Sequence, residues 1–293
     1  MKKAYYAFVI LFICAVIAAQ WLVFPGRVIL PQVINIVGLS VHYYGVIVAL
    51  AVLVGWYVIT QRIKPSSLNG NQLEYLFVIL LVSGFLGARV YHVISEYDYY
   101  IVNPAEIVML WHGGLAIYGA VISGCVALYV YNKVVLKLSF LKLLDILVPG
   151  LVLAQAIGRW GNFLNYELYG LPTNVPWKMF VPEQFRVFPF DSAQYFHPLF
   201  LYESIACLLI FWLLLRYNDL AVKWHISVRN GDVFWLWLIL YGALRLGIEF
   251  LRIDAQYILG IRGNYLISSC AIIIGLYFFF IYKKHESVSA QNN

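Results

Sequence analysis

The chain consists mainly of long apolar stretches separated by short polar segments. The stretches lie at about residues 4–24, 41–61, 73–94, 107–131, 143–157, 198–215, 232–251 and 264–282. Most of them reach the roughly 20 residues that an α-helix needs to cross the hydrocarbon core of a bilayer. The weakest is 143–157, which contains Asp145, Pro149 and Gly150 and is expected to be a broken or partial span. The pattern therefore predicts about seven to eight transmembrane helices.

Composition supports a membrane protein and argues against a soluble one. The chain is 63% hydrophobic and 12% charged, with a mean hydropathy of +0.80, well outside the usual range of soluble domains. Only helices and closed β-barrels satisfy their backbone hydrogen bonds in lipid, and the alternating pattern of barrel strands is missing. We therefore predict an all-α fold, a polytopic integral membrane helical bundle, with residues 1–293 as a single membrane domain.

The 20 lysines and arginines are unevenly distributed between alternate loops. If the N-terminus lies inside, the inside set has twelve: Lys2, Lys3, Arg62, Lys64, Lys133, Lys137, Lys142, Arg216, Lys223, Arg229, Lys283 and Lys284. The outside set has six: Arg27, Arg159, Lys178, Arg186, Arg252 and Arg262; Arg89 and Arg245 lie within predicted spans. The bias fits the positive-inside rule with both termini cytoplasmic. The net charge of +6 then belongs mostly to the cytoplasmic face, so we infer no nucleic-acid partner.

The transmembrane core is expected at 41–157 and 198–282, with further segments around it. Residues 1–24 begin like a signal peptide, but no clear small-x-small cleavage site follows, so we expect an extra N-terminal helix that is retained. Residues 158–197 are rich in proline and aromatic residues and are expected to form a small periplasmic cap. Residues 285–293 are expected to be a flexible tail. The cysteines lie singly on different predicted helices, so we predict no metal site.

A polar stretch interrupts this apolar chain at 158–170. Its residues are Gly158-Arg159-Trp160-Gly161-Asn162-Phe163-Leu164-Asn165-Tyr166-Glu167-Leu168-Tyr169-Gly170. Ionisable groups at membrane depth are expensive and usually mark a functional site. An arginine with asparagine amides and glycine N–H groups suits a phosphate. The alternative is a re-entrant turn whose polar groups only satisfy each other.

The spacing G-R-x-G-N-F-x-N-x-E-x-x-G resembles the signature of the bacterial prolipoprotein diacylglyceryl transferases. Four further motifs resemble this family in the same order. They are His42–Gly45 (H-x-Y-G), Gly113–Gly119 (G-G-L-x-x-[HY]-G), His197–Glu203 (H-P-x-x-L-Y-E) and Tyr241–Arg252 (Y-G-x-x-R-x-x-x-E-x-x-R). Together the motifs run from about residue 40 to about residue 255.

This resemblance implies an enzyme of the bacterial cytoplasmic (inner) membrane. It would transfer the sn-1,2-diacylglyceryl group of phosphatidylglycerol to the lipobox cysteine thiol of prolipoproteins, forming a thioether and releasing glycerol-1-phosphate, the first step of lipoprotein maturation. The expected partners are phosphatidylglycerol, prolipoprotein signal peptides and membrane lipid; we expect a monomer without a cofactor. A lipid or anion transporter and a non-catalytic lipid-binding family member are the alternatives. One interrupted segment without an internal repeat favours the enzyme over the transporter.

The departing phosphate needs cations, and Arg159 and Arg245 are the candidates. A guanidinium stays charged in an apolar site and grips phosphate oxygens with two donors. Glu249 lies four residues after Arg245 on the same helical face. It is either part of the catalytic site or the partner of a purely structural Arg245–Glu249 pair.

The thiol needs a base, because thiolate is the nucleophile. Many members of the family have histidine at the position of Tyr118, and a tyrosine with a pKa near 10 is a poor base. Tyr118 is still a catalytic candidate on its position. The alternatives are water, the departing phosphate, or one of His42, His112, His197, Glu167 and Glu249.

Substrate binding is assigned to the remaining motif residues and to two further arginines. Asn162 and Asn165 are expected to hold glycerol hydroxyls or the phosphate, and Glu167 to orient Arg159. Arg252 is expected to guide the anionic headgroup or to extend towards the membrane surface. The other substrate-binding candidates are Tyr44, Arg89, Gly170 and His197.

Overall fold

The computed structural model describes residues 14, 16–36, 39–63, 69–109, 112–254, 257–258 and 261–281. Most of the expected N-terminal helix, both termini and the tail at 285–293 lie outside the described residues. The described part of the N-terminal stretch ends in a π-helical turn, Ala19–Val23.

The described chain is mostly helical. Its α-helices are α1 Tyr43–Arg62, α2 Gly70–Ser95, α3 Tyr97–Val102, α4 Ile117–Tyr131, α5 Phe140–Leu164, α6 Leu199–Lys223, α7 Asp232–Glu249 and α8 Gly263–Leu276. Three antiparallel strand pairs connect them: β1 Val33–Ile36 with β2 Leu39–His42, β3 Met179–Phe180 with β4 Tyr195–Phe196, and β5 Tyr257–Ile258 with β6 Ile261–Arg262. Val33 pairs with His42, Met179 with Phe196 and Tyr257 with Arg262.

The expected all-α membrane fold is confirmed. Six helices within the described residues are long and apolar enough to cross a membrane: Tyr43–Arg62, Gly70–Ser95, Ile117–Leu136, Phe140–Leu164, Leu199–Lys223 and Gly263–Phe280. Helix α7 has 18 residues but carries three charged side chains, Asp232, Arg245 and Glu249. Seven to eight spans were expected. The two expected spans that are not among these six are helix α7 and the N-terminal stretch.

The expected break at 143–157 is absent, because α5 is one continuous helix from Phe140 to Leu164 with Pro149 inside it. A transmembrane helix tolerates proline where neighbouring helices compensate the missing hydrogen bond. Here α1 packs closely at this level: a Cβ added at Gly55 would lie 2.6 Å from the Gly150 carbonyl oxygen. The signature stretch therefore begins inside a helix, and Arg159 lies on its last turns.

The chain divides into two compact units, residues 1–57 with 147–293 and residues 58–146. In the second unit, α2 and α4 pack through small residues, as membrane helices commonly do. Gly87 lies against Gly119 and Ser123, and the Ser123 hydroxyl donates to the Ser83 carbonyl oxygen at 2.8 Å. This close approach leaves no room for side chains at either glycine.

In the first unit an aromatic core lies where α5 ends and α6 begins. The Phe163 and Phe200 rings stack with centroids 4.5 Å apart, and Phe24 packs edge-on against both. Met179 and Phe196 of the β3–β4 pair are buried in the same cluster. The core fixes α5 against α6, and thereby sets the position of Arg159 relative to the first turns of α6.

Candidate active site

A buried carboxylate lies between two guanidinium groups in the first unit. Glu203 on α6 is 3% exposed. Its Oε1 accepts a hydrogen bond from Arg159 Nη2 at 2.6 Å, and its Oε2 accepts one from Arg245 Nη1 at 3.0 Å. The Tyr241 hydroxyl also donates to Oε1, at 3.2 Å. Arg159, Glu203 and Arg245 are called the arginine–glutamate triad below.

Three helices, α5, α6 and α7, each contribute one member of the triad. The side chains of Arg159 and Arg245 are 20% and 15% exposed. Because burying an unpaired charge costs several kcal/mol, each arginine needs a carboxylate, and Glu203 serves both. Two cations and one anion leave a net charge of about +1, which favours binding of an anion.

The Arg245–Glu249 pair considered from the sequence is not formed. Arg245 reaches α6 instead, because one carboxylate there accepts from both arginines. Glu249 is fully buried, and its Oε2 accepts from Asn264 Nδ2 at 2.9 Å and lies 3.8 Å from Arg252 Nη1. Its Oε1 has no hydrogen-bond partner within the described part of the chain.

The polar residues of the signature form a second network beside the triad. Arg159 Nη1 donates to Asn162 Oδ1 at 3.2 Å. The Asn162 and Asn165 amides both donate to Glu167, at 3.4 and 3.1 Å. Glu167 therefore acts on Arg159 through Asn162 and not by direct contact.

The backbone leaves helical geometry immediately after α5. Tyr166 and Leu168 have φ of +54° and +53°, the left-handed region in which residues other than glycine are uncommon. The Glu167 N–H donates back to the Asn162 carbonyl at 2.9 Å. This turn directs the Glu167 side chain to the two asparagines, so the signature is half helix and half turn.

Gly170 and Gly161 permit close packing around the site. The Gly170 N–H donates to the His197 carbonyl at 2.9 Å, and a Cβ at Gly170 would lie 2.9 Å from the Leu251 carbonyl oxygen. A Cβ at Gly161 would lie 2.8 Å from Tyr44 Cδ2. Tyr44 is close enough to Arg159 and Glu167 to interact electrostatically with both.

His197 belongs to a hydrogen-bonded chain at the base of the cap. Trp177 Nε1 donates to the Tyr202 hydroxyl at 2.6 Å, and that hydroxyl lies 3.0 Å from His197 Nδ1. Partial burial lowers the pKa of His197 from 6.5, so the ring is neutral at neutral pH. In this structure His197 anchors the cap to α6.

Arg252 completes the positive side of the site. It pairs with Asp254 through Nε–Oδ1 and Nη2–Oδ2 contacts of 3.1 and 2.9 Å. With the triad it lines a small cavity whose apolar walls are Leu168, Leu199, Phe200 and Ile248. The cavity has a volume of about 10 Å³, room for about one water molecule. The cavity is therefore too small for a phosphate group, which could enter only after side chains move.

Two candidates belong to the second unit. The guanidinium of Arg89, which is 6% exposed, donates to the carbonyl oxygens of Glu106, Ile107, Gly113 and Gly114. These four bonds make it an anchor of the 104–116 loop. Tyr118 is exposed in the first turn of α4, beside the ring of Tyr91.

Known proteins are similar to this chain over most of its length. A family model described as prolipoprotein diacylglyceryl transferase matches residues 31–281. The chain belongs to the prolipoprotein diacylglyceryl transferase family. Relatives named phosphatidylglycerol–prolipoprotein diacylglyceryl transferase include one from Thermotoga maritima, 37% identical over 266 residues (90% of this chain, 89% of the relative). Another, from Finegoldia magna, is 40% identical over 250 residues (85% and 94%), and one from Synechococcus elongatus is 36% identical over 250 residues (84% and 85%).

Glu203 and Tyr241 are the residues that sequence reasoning missed. Both lie in motifs shared with the transferase family, H-P-x-x-L-Y-E and Y-G-x-x-R, but neither was selected as a site residue. The signal was present, since Arg159 and Arg245 are cations in apolar surroundings and Glu203 is the carboxylate of a neighbouring apolar helix.

The triad predicts that two acidic residues of α6, Glu203 and Asp219, make very different contributions to stability. Glu203→Leu leaves two buried guanidiniums unpaired and should lower the free energy of unfolding by about 3–5 kcal/mol. Glu203→Gln keeps hydrogen-bonding atoms, so its free energy of unfolding should lie between that of the Glu203→Leu chain and that of the unmodified chain. Denaturant unfolding of the purified chain in detergent measures both.

Asp219→Asn is the matched control, because Asp219 forms an exposed pair with Arg216 at 3.5 Å at the other end of α6. Its removal should cost less than about 1 kcal/mol. Equal stability of the Glu203→Leu and Asp219→Asn chains would contradict the structural role assigned to Glu203.

Proposed function

We propose that this chain transfers the sn-1,2-diacylglyceryl group from phosphatidylglycerol to the lipobox cysteine thiol of prolipoproteins. The membership of the transferase family supports the reaction. The observation that carries the proposal is the carboxylate of Glu203 held by Arg159 and Arg245 together. Two guanidiniums that converge on one oxyanion are positioned to converge on another.

The reaction breaks one C–O bond and forms one C–S bond. The thiolate sulfur attacks the carbon of the diacylglyceryl group that bears the phosphate oxygen. The electron pair of the broken C–O bond leaves with glycerol-1-phosphate. Negative charge grows on the phosphate in the transition state, where fixed cationic donors lower the barrier most. The thiol proton passes to a base. We propose Arg159 and Arg245 as the phosphate ligands.

Glu203 need not leave for the phosphate to bind. A guanidinium has five N–H groups, and Glu203 engages Nη2 of Arg159 and Nη1 of Arg245. We propose that Glu203 stays between the arginines and holds them apart while their other N–H groups meet the phosphate. Opening of the cavity of about 10 Å³ would then require movement of Arg252 or Leu168 at its wall.

The signature turn and the motif residues supply the remaining roles in this proposal. Asn162 and Asn165, oriented by Glu167, bind the glycerol headgroup. Tyr44, which packs against Gly161, lies beside these residues. Tyr118 is retained as a candidate proton acceptor because of its place in the family motif.

The chain is a multi-pass membrane protein. We further propose that it lies in the bacterial inner membrane as a monomer, with both termini cytoplasmic and the cap, expected at 158–197, on the outer side. The excess of lysine and arginine on the inside loops supports this orientation.

Transfer can be measured by mass spectrometry of a lipobox peptide incubated with phosphatidylglycerol and the purified chain. A diacylglyceryl increment on the peptide cysteine is expected. Arg159→Lys and Arg245→Lys each keep the charge but lose the planar fork. Their rates should fall 10²–10³-fold, or about 2.7–4 kcal/mol, the usual loss for one transition-state contact.

The matched control is Arg216→Lys, an exposed arginine on α6, which should keep the full rate. All variants should elute from size exclusion like the unmodified chain. No increment with the unmodified chain would refute the transfer reaction. Full rates for both lysine variants of the triad would remove these arginines from phosphate binding.

The orientation is testable with one cysteine in the cap and one at the last residue of α6. In a chain whose four native cysteines are replaced by alanine, Lys178→Cys in the cap should react with a membrane-impermeant maleimide added to intact spheroplasts. Lys223→Cys, at the last residue of α6, should react only after permeabilisation. The reverse pattern would overturn the proposed topology.

A further inference from the structure

An apolar cavity that is open to its surroundings lies beside the signature helix. It has a volume of about 340 Å³, within the range of small-ligand sites, whereas the cavity at the triad has room for about one water. The N-terminal stretch provides a first wall with Ala18, Leu22, Val28 and Leu30, and α5 provides a second wall with Trp160 and Phe163. The matched family model begins at residue 31, so the first wall lies outside it.

The two walls are tied to the signature itself. The Leu30 N–H donates to the Tyr166 hydroxyl at 2.8 Å, and Gln32 Nε2 donates to the Asn165 carbonyl at 3.0 Å. The Phe180 N–H donates to the Phe24 carbonyl at 2.9 Å, which fixes the first wall to the cap. The cavity is thus a fixed part of the unit that carries the triad.

The cavity and the triad lie on neighbouring faces of one helix. Arg159 and Asn162 point to Glu203 and Glu167, whereas Trp160 and Phe163, one position further along, line the cavity. Trp160 is held in place because its Nε1 donates to the Ser204 hydroxyl at 3.3 Å. A molecule with its phosphate at Arg159 would therefore have the apolar cavity directly beside it.

We propose that this cavity binds one acyl chain of the diacyl phospholipid substrate. This inference rests on the proposed function, which puts a lipid phosphate at the triad. An acyl chain needs no hydrogen bonds and matches walls made of alkyl and aromatic groups. An extended peptide does not match these walls, because its backbone N–H and C=O groups would have no hydrogen-bond partners there. The N-terminal stretch is then a lipid-binding addition to the family core.

The test uses phosphatidylglycerol that carries a photoactivatable diazirine in one acyl chain. After illumination, mass spectrometry of the full-length chain in nanodiscs should find adducts concentrated in residues 18–30 and 160–164. Ala18→Phe, which fills the cavity from an exposed position, and Val28→Phe should each reduce these adducts severalfold. Ile17→Phe is the control, because Ile17 lies in the same turn and is 52% exposed but does not line the cavity.

The same variants report on transfer. Ala18→Phe should raise KM for long-chain phosphatidylglycerol about tenfold, equivalent to about 1.4 kcal/mol, less than the burial of two methylene groups. KM for a short-chain phosphatidylglycerol should change little, and Ile17→Phe should change neither value. Both cavity variants should retain the size-exclusion profile of the unmodified chain.

The outcomes separate the two proposals. Transfer by the unmodified chain, with adducts and KM unaltered in both cavity variants, would overturn the acyl-chain site alone. Adducts spread evenly over the exposed face of α2, or found at the cavity only with a diazirine-labelled lipobox peptide, would also overturn it. Adducts at the cavity without any transfer would support a lipid-chain site and refute the proposed reaction.

Discussion

The burial of Glu203 between Arg159 and Arg245 is the constraint on which the rest of the first unit depends. Neither arginine could remain in this apolar environment without a carboxylate, and a carboxylate shared by two cations leaves a positive charge uncompensated. The three side chains come from α5, α6 and α7, so their pairing also aligns those helices. The same contact therefore stabilises the bundle and makes the site attractive to an anion.

The structure around the triad serves to keep α5 in place. Helix α5 runs past Pro149 without a break, and Gly55 of α1 lies close to Gly150 at the same level. At its other end, stacking of Phe163 on Phe200 fixes α5 to α6. The turn at Tyr166 and Leu168 then directs Glu167 back to Asn162. Packing, backbone geometry and polar contacts all position one guanidinium, that of Arg159.

The sequence predicted what depends on local pattern and on recognised motifs. Apolar length alone indicated the helical membrane fold, which the structure confirms. The cost of charge in lipid singled out Arg159 and Arg245, and the structure places them on one carboxylate. The Arg245–Glu249 pair, one of the two alternatives that the sequence left open, is not formed, because the i, i+4 rule considers only one helix and the carboxylate that Arg245 contacts lies on another. Arg89 was expected to bind substrate. Its hydrogen bonds to four carbonyl oxygens hold a loop, and the sequence pattern does not predict the path of that loop. The continuity of α5 through Pro149 likewise shows only in the structure, because a proline inside an apolar run predicts a break.

A structure of the full-length chain in nanodiscs with phosphatidylglycerol bound tests the central claim most directly. The lipid phosphate should lie within hydrogen-bonding distance of the guanidiniums of both Arg159 and Arg245, with Glu203 still between them. A phosphate bound elsewhere, with both arginines contacting only Glu203, would show that the triad is a structural pairing and contradict its assignment as the phosphate site.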